Sequence, residues 1–138
     1  MTSSDPIVML FRHNLWANQR LFERCATLSS EQLAASIAGA YGSVGDTLQH
    51  IVIAEQNYFA RISTGRRNPR PQDAPALTFP EMLESLQKTG LGLIEWAPKV
   101  QAGVTVEIDW DGVMRDVPKS IILTQVINHA TEHRAQVM

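Results

Sequence analysis

The stretch from Val104 to Ser120 reads VTVEIDWDGVMRDVPKS, and it predicts a change from helix to strand and back. Residues 104–110 alternate between apolar and polar side chains and are rich in β-branched types, which is typical of a strand. Asp111-Gly112 is a hairpin turn signal, and the alternation returns over residues 113–117. A last helix is predicted to open at Pro118-Lys119-Ser120 and to continue to the end of the chain.

Before this hairpin the spacing predicts three long helices. The first has Asp5 as its N-cap and Pro6 in its first turn, and it runs from Ile7 to about Thr27. A short turn or new helical piece is expected at Ser29-Ser30-Glu31. The apolar face predicted for the first helix consists of Leu10, Phe11, Leu15, Trp16, Ala17, Leu21 and Phe22.

Turn residues separate the remaining helices. Gly39, Gly42 and Gly45 predict a connection over residues 39–45, after which Ser43 and Asp46 favour the start of a second helix. That helix is expected to run to Ser63 and to end at Gly65. The stretch 64–80 holds four prolines and three arginines and predicts a long surface loop.

A third helix is predicted to begin at Thr78, which can act as its N-cap, and to end at Pro98. Gly90 and Gly92 lower the helix propensity of this segment. Long helices with one minor hairpin predict an all-α fold, a four-helix bundle with a short β-hairpin before the last helix.

Composition limits the function classes. The chain has 138 residues and a mass of 15.3 kDa, with 44% hydrophobic and 19% charged residues, so a single domain over residues 1–138 is expected. A net charge of -2 argues against direct nucleic-acid binding and against anionic membranes. No apolar run is long enough to span a bilayer and no secretory signal is visible. Cys25 is the only cysteine, which favours a reducing, cytoplasmic location.

Two of the four histidines lie four residues apart, in His129-Ala-Thr-Glu-His133. Residues at this spacing share one face of a helix, here the face of Ile122, Val126 and Val137. A pair of this kind supplies two imidazole nitrogens to one metal ion, although the spacing alone also fits two unrelated histidines. Ala130 replaces the glutamate of a zinc peptidase motif, so peptidase chemistry is not indicated.

A third ligand has two candidates. His50 lies on the second helix, nearly opposite a stripe formed by Leu48, Val52, Glu55, Phe59 and Ile62. It is either a solvated or interface histidine, or a ligand on a helix that is buried on two sides, and the helical wheel favours neither interpretation. His13 is interpreted as a structural or surface residue.

The other reactive side chains carry weaker signals. Cys25 is interpreted as a small buried hydrophobe. Glu55, on an apolar stripe, is either paired with a core arginine or hydrogen-bonded to a ligand histidine. Glu55 and Glu132 are therefore weak candidates for proton transfer, and no catalytic residue is assigned. No phosphate-binding glycine loop or serine-hydrolase elbow is present in the sequence.

Three groups of residues resemble the DinB family of metalloenzymes (DinB/YfiT-like) over essentially the whole chain. They are Trp16-Ala17-Asn18 with Arg20-Leu21, then His50-Ile-Val-Ile-Ala-Glu55 with Tyr58 and Arg61, and finally Asn128-His129-Ala-Thr-Glu-His133-Arg134-Ala-Gln136. The last group is the most specific.

The resemblance implies an up-down-down-up four-helix bundle, usually a homodimer, with a metal held by His50, His129 and His133. Zinc or nickel is the expected metal. Characterised relatives imply a thiol S-transferase with a low-molecular-weight thiol cosubstrate. A bacterial source fits the excess of arginine over lysine.

Two departures from the family pattern stand out. Ala135 replaces a common glycine, and the chain ends at Met138, five residues after His133. Family members continue further, so a truncated C-terminus is expected.

The leading hypothesis is a divalent-metal-dependent enzyme that activates a thiol, as a transferase, or water, as a hydrolase, for a small-molecule substrate. The alternative is a non-catalytic helical bundle that binds a small ligand or a partner and binds metal only incidentally.

Overall fold

The computed structural model describes residues 5–36, 42–71, 73–101 and 103–137. It is mostly helical, with one two-stranded antiparallel hairpin directly before the last helix. The elements are α1 (Pro6–Cys25), α2 (Ser30–Ala34), α3 (Val44–Ser63), α4 (Phe79–Trp96), β1 (Thr105–Trp110), β2 (Val113–Pro118) and α5 (Lys119–Val137), with one 3-10 turn at Ala97–Lys99. No helix in the described ranges is long and apolar enough to cross a membrane.

The helices begin at the predicted capping residues. The side chains of Asp5, Ser43 and Thr78 each accept a hydrogen bond from a backbone N–H of the first helical turn. Ser29 caps the short α2 in the same way, which confirms the new helical piece expected there.

Two helix boundaries differ slightly from prediction. Gly45 already lies in α3, and Gly39, at the start of the predicted connection, is outside the described residues. Pro98 lies in the 3-10 turn that follows α4.

Each of the four long helices packs on two others. Helix α1 packs on α4 and α5, and α3 also packs on α4 and α5. Gly90 and Gly92 allow the close approach of α4, because a Cβ atom added to them would lie 2.5 Å from Leu15 Cδ1 and 2.4 Å from Phe59 Cζ, respectively. Glycine has a low helix propensity, but at these two positions it allows α4 to pack closely against its neighbours.

The apolar core forms two clusters. One contains Phe11, Ile62, Leu93, Ala97, Val106, Val117, Ile122, Leu123 and Val126. The other contains Phe22, Cys25, Leu48, Ile51, Val52, Met82 and Leu86. Along the helices, the buried polar residues Asn14, Asn18, Glu55 and Thr89 lie between them.

The hairpin closes one end of the molecule. Asp111 and Gly112 have φ values of 52° and 83°, as a tight hairpin turn requires at both central positions. Val106 and Val117 are paired across the strands and are buried in the core cluster that includes α5.

The buried face of α1 differs from the prediction. Trp16 is 58% exposed and Leu10 is 42% exposed, whereas Asn14 and Asn18 are almost completely buried. The apolar pattern spreads over more of this helix than its neighbours cover. The two asparagines are accommodated in the core because hydrogen bonds satisfy their side chains.

Candidate metal centre

Three histidines from two helices converge at the contact between α3 and α5. One ring nitrogen from each of His50, His129 and His133 lies within 4.8 Å of the others. His129 Nε2 lies 2.9 Å from His50 Nε2. His50 therefore faces α5, and the stripe opposite it supplies core contacts. Helix α3 packs on both α4 and α5, as the ligand interpretation requires, and ligation by His50 stays a prediction.

The environment of His50 and His129 favours their neutral form. His133 is buried, and His50 and His129 are partly buried. Burial, followed by the neighbouring histidines, lowers the pKa of His129 to about 4 and also lowers the pKa of His50. Neutral imidazole is the form that donates a nitrogen lone pair to a metal.

Gln136 orients His133. Its Oε1 atom lies 2.7 Å from His133 Nδ1, so Nδ1 carries the proton and donates it to this carbonyl. In the neutral ring with this tautomer, the lone pair is on Nε2. Histidine ligands commonly have such a partner on the second ring nitrogen. In the sequence, Gln136 was noted only as part of the last motif, and the contact with His133 is what indicates its orienting role.

A cavity of about 340 Å³ lies between α3, α5 and the hairpin, and its lining includes Tyr58, whose ring lies near that of His129. Tyr58, Arg61 and Gln125 supply its polar lining, and Ile108 belongs to its apolar wall. The Tyr58 ring centroid lies 5.7 Å from that of His129. Burial raises the pKa of Tyr58, so its hydroxyl keeps its proton at neutral pH and remains a hydrogen-bond donor.

Glu55 belongs to a buried polar network. Asn14 Nδ2 donates to Glu55 Oε1 at 3.0 Å, and Thr89 Oγ1 lies 3.2 Å from Glu55 Oε2. Arg134 Nη1 donates to Asn14 Oδ1 at 2.9 Å and to Asn18 Oδ1 at 2.8 Å. Glu55 is thus linked to Arg134 through Asn14, whereas the first of its two predicted roles was a direct pairing with a core arginine.

The network joins α1, α3, α4 and α5. Sequence analysis identified Glu55 as anomalous but assigned no role to Asn14, Asn18 or Thr89. Isolated asparagines and threonines give no signal until their partners are known. No buried side-chain nitrogen or oxygen in the described ranges lacks a hydrogen-bond partner.

The remaining candidates are not part of the histidine cluster. His13 is exposed and lies beside Trp16, with ring centroids 5.7 Å apart. Cys25 is buried, and burial raises the pKa of its thiol, consistent with a small hydrophobe. Glu132 is exposed. In the loop after α3, Arg70 donates to the backbone oxygen of Pro75.

The donor set fits a divalent transition metal. Two nitrogens that bind one zinc ion at about 2.0–2.1 Å lie no more than roughly 4.2 Å apart. The 2.9 Å pair meets this limit, and all three nitrogens lie within 4.8 Å of one another. Neutral imidazoles are suitable ligands for zinc, nickel, copper and iron.

Comparison with known proteins gives consistent matches. The model of the DinB family matches residues 1–138. Protein DinB of Bacillus subtilis (strain 168) is 24% identical over 148 residues, a match that covers 97% of this chain and 83% of that protein. The crystal structure of a DinB-like protein from Bacillus cereus ATCC 10987 has a TM-score of 0.64 and 21% identity, covering 95% of this chain and 85% of that one. The fold is therefore shared with a solved DinB-like protein.

Proposed function

Because this chain belongs to the DinB family, we propose that it is a metal-dependent enzyme whose His50, His129 and His133 hold a divalent cation. The convergence of three imidazoles from α3 and α5 is the observation that carries the proposal. Three protein ligands leave a position open for a substrate, which is the arrangement of catalytic zinc sites. Zinc and nickel are the proposed metals.

A bound divalent metal lowers the pKa of a thiol or water and so supplies a nucleophile at neutral pH. The protein's own residues orient the reactants. Gln136 holds His133 in one tautomer, and Tyr58 and Gln125 offer hydrogen bonds in the adjacent cavity. Arg61 supplies a positive charge there for an anionic thiol cosubstrate or substrate. We propose thiol S-transfer as the reaction and hydrolysis as its variant with water.

The proposed architecture is an up-down-down-up four-helix bundle. Two hydrogen bonds support a parallel arrangement of α3 and α4. Gln49 is bonded to Leu77 and, two turns further along α3, Gln56 is bonded to Ser85. The contact of Lys119 Nζ with the Ile62 carbonyl, at 2.8 Å, supports antiparallel α3 and α5.

A homodimer is also proposed. Since α4 and α5 cover α3 within the chain, the dimer is not required to explain the two apolar sides of that helix. Light scattering on the purified protein tests it, and a mass of one chain would contradict it.

Metal content is the first test. Elemental analysis of protein purified without added metal or a histidine tag is expected to give about one equivalent per chain. His129→Ala is expected to lose the metal, and His13→Ala, which removes the exposed histidine outside the cluster, is expected to retain it. Equal metal content in the two variants, or no uptake of zinc or nickel by the parent protein, would refute the proposed site.

Activity separates the enzyme from the alternative, a non-catalytic bundle that binds a small ligand or a partner. Thiol-transfer and hydrolysis assays are run on the metal-loaded parent and on His129→Ala. An activity that disappears with the metal supports the enzyme. Metal binding without any turnover across a broad panel of electrophiles and esters would favour the non-catalytic bundle.

A further inference from the structure

A second concave surface lies between α1 and the C-terminal part of α5. Its cavity volume is about 700 Å³. We call it the arginine groove and define it by six of its lining residues, Trp16, Arg20, Leu21, Arg24, Cys25 and Arg134. None of its lining residues comes from α3, the helix that supplies His50, so the groove is separate from the histidine cluster.

The charges in this groove are all positive. Arg20 and Arg24 lie one turn apart on α1, and Arg134 approaches from α5. No acidic side chain is present among the described residues that line it. The charge balance of the groove differs from that of the whole chain, in which 14 acidic residues outnumber 12 lysines and arginines.

Ion pairs within the fold do not explain the presence of Arg20 and Arg24 on α1. Within the described ranges the single ion pair joins Lys99 to Glu95, so Arg20 and Arg24 lie outside any salt bridge there. Both side chains are exposed. Arg24 lies in the last turn of α1, where a cation is favourable, but this helix-end effect does not account for Arg20.

Arg134 is positioned by the core network. Its Nη1 atom donates to both Asn14 and Asn18, which fixes the guanidinium at the inner side of the groove. Preorganised guanidinium groups are well suited to carboxylate, sulfonate and phosphate oxygens.

The rest of the groove is apolar and aromatic. Trp16 is 58% exposed on its rim, and Leu21 and Leu28 lie among its lining residues. An exposed indole next to aliphatic side chains offers a flat surface for a planar ring. The sequence analysis identified Trp16 and Arg20 as part of a family resemblance, and the histidine cluster gives them no role.

We propose that the arginine groove binds a small molecule that combines a planar apolar body with one anionic group. The planar body lies against Trp16 and the leucines, and the anionic group pairs with Arg20, Arg24 and Arg134. Charge complementarity selects this occupant over an uncharged hydrophobic molecule or a cation.

Anilinonaphthalene sulfonate is a suitable probe, because it has a planar aromatic body and one sulfonate. Phenylnaphthylamine, which lacks the sulfonate, is its uncharged counterpart. Fluorescence titration is expected to show one bound sulfonate probe per chain, with affinity that falls as salt is added. The double variant Arg20→Gln/Arg24→Gln should weaken the sulfonate probe at least tenfold and change binding of the uncharged probe less than twofold.

Two further variants locate the site. Arg12→Gln removes an exposed arginine of α1 that does not line the groove, and it should change neither affinity by more than twofold. Trp16→Ala should weaken both probes, because it removes the aromatic wall that they share. Circular dichroism melts confirm that these exposed substitutions leave the fold intact.

Three results would overturn the proposal. The first is that the double variant Arg20→Gln/Arg24→Gln binds the sulfonate probe as tightly as the parent protein does. The second is an equal loss for the charged and uncharged probes in that double variant. The third is a dimer that Trp16→Ala converts into a monomer by light scattering, because the groove would then be covered by a second copy of the chain.

Discussion

At the scale of single residues, Glu55 has the most unusual environment in the described chain. It is 4% exposed, and burial raises its pKa from 4.5 to about 7, against the opposing effects of Thr89, Asn14 and Arg134. Thr89 Oγ1 also lies 3.0 Å from the Ser85 carbonyl oxygen. A hydroxyl has one proton, so Thr89 cannot donate to both groups at once.

The protonation of Glu55 therefore decides the direction of this hydrogen bond. When Glu55 is protonated, its hydroxyl donates to Thr89 Oγ1, and Thr89 donates to the Ser85 carbonyl. When Glu55 is ionised, Thr89 donates to the carboxylate instead and gives up its bond to Ser85. The contact between Glu55 and Thr89 is thus kept in both protonation states, with the donor reversed.

Glu55→Gln should change how stability depends on pH. Because the pKa of Glu55 is higher in the folded state, the folded protein binds more protons between pH 4.5 and about 7, and Glu55 makes stability fall as pH rises through that window. The loss is about 3 kcal/mol, since one pKa unit corresponds to roughly 1.4 kcal/mol. Relative to the parent protein, Glu55→Gln should gain this amount in urea unfolding between about pH 4.5 and pH 8.

The comparison with the variant is needed because His129 acts in the opposite direction. Its pKa is lowered to about 4, so its contribution to stability is present above pH 6.5 and is lost as pH falls. This contribution is common to both proteins and cancels in their difference. Parallel pH profiles for the parent and Glu55→Gln would contradict the raised pKa.

Gln136→Leu should weaken metal binding by about 10–100-fold, because it removes the acceptor that orients His133. Gln136→Glu keeps an acceptor oxygen at the same position and should retain the affinity to within a few fold. Competition with a chromophoric chelator measures both variants. Equal affinity for Gln136→Leu and the parent would show that the contact does not orient the ligand.

At the scale of elements, the contact between α4 and α1 depends on a missing side chain. A Cβ atom at Gly90 would meet three atoms of Leu15, including its Cβ at 3.1 Å, so Leu15 cannot avoid it by rotating only its terminal methyl groups. Helix α4 tolerates the low helix propensity of glycine because this contact brings α1 and α4 together.

Gly90→Ala should destabilise the protein by about 1–2 kcal/mol, because overpacking outweighs the gain of roughly 1 kcal/mol in helix propensity. Gly45→Ala is the matched control. Its nearest neighbour would be the Leu33 carbonyl oxygen at 3.4 Å, so this change should be neutral or stabilising. Chemical unfolding measures both, and combining Gly90→Ala with Leu15→Ala should recover part of the loss. A stabilised Gly90→Ala variant would contradict the tight contact.

At the scale of the whole molecule, the histidine cluster links metal binding to folding. His50 and His129 are 79 positions apart in the sequence and meet only when α3 packs against α5. An unfolded chain does not present this set of ligands together. A metal that binds there therefore stabilises the folded state.

Zinc or nickel should raise the Tm of the parent protein. At a free concentration of about 100 times the Kd the gain is roughly 2.7 kcal/mol, or roughly 5–10 °C for a chain of this size. His50→Ala should abolish the shift, and His13→Ala should show the parental shift. Differential scanning calorimetry measures it, and a shift that survives in His50→Ala would mean that the metal binds elsewhere.

Much of the fold is encoded locally. Capping at Asp5, Ser43 and Thr78 and the Asp111-Gly112 turn were predicted correctly, because each depends on side chains within a few positions of the backbone groups that they satisfy. The buried face of α1 was predicted less well. Its apolar residues surround much of the helix, and the neighbouring helices decide which of them are covered.

The candidate site shows the same division. The spacing of His129 and His133 places both on one face of a helix from sequence alone, since four residues make about one helical turn. Other features of the site depend on how separate helices pack. They are the position of His50 beside these two histidines and the hydrogen bonds of Asn14 that link Glu55 to Arg134. The oxygen that orients His133 was also visible only in the structure. Local sequence determines the helices, caps and turn because their hydrogen bonds are short-range. The histidine cluster, the buried network and the arginine groove arise only when helices distant in sequence pack together.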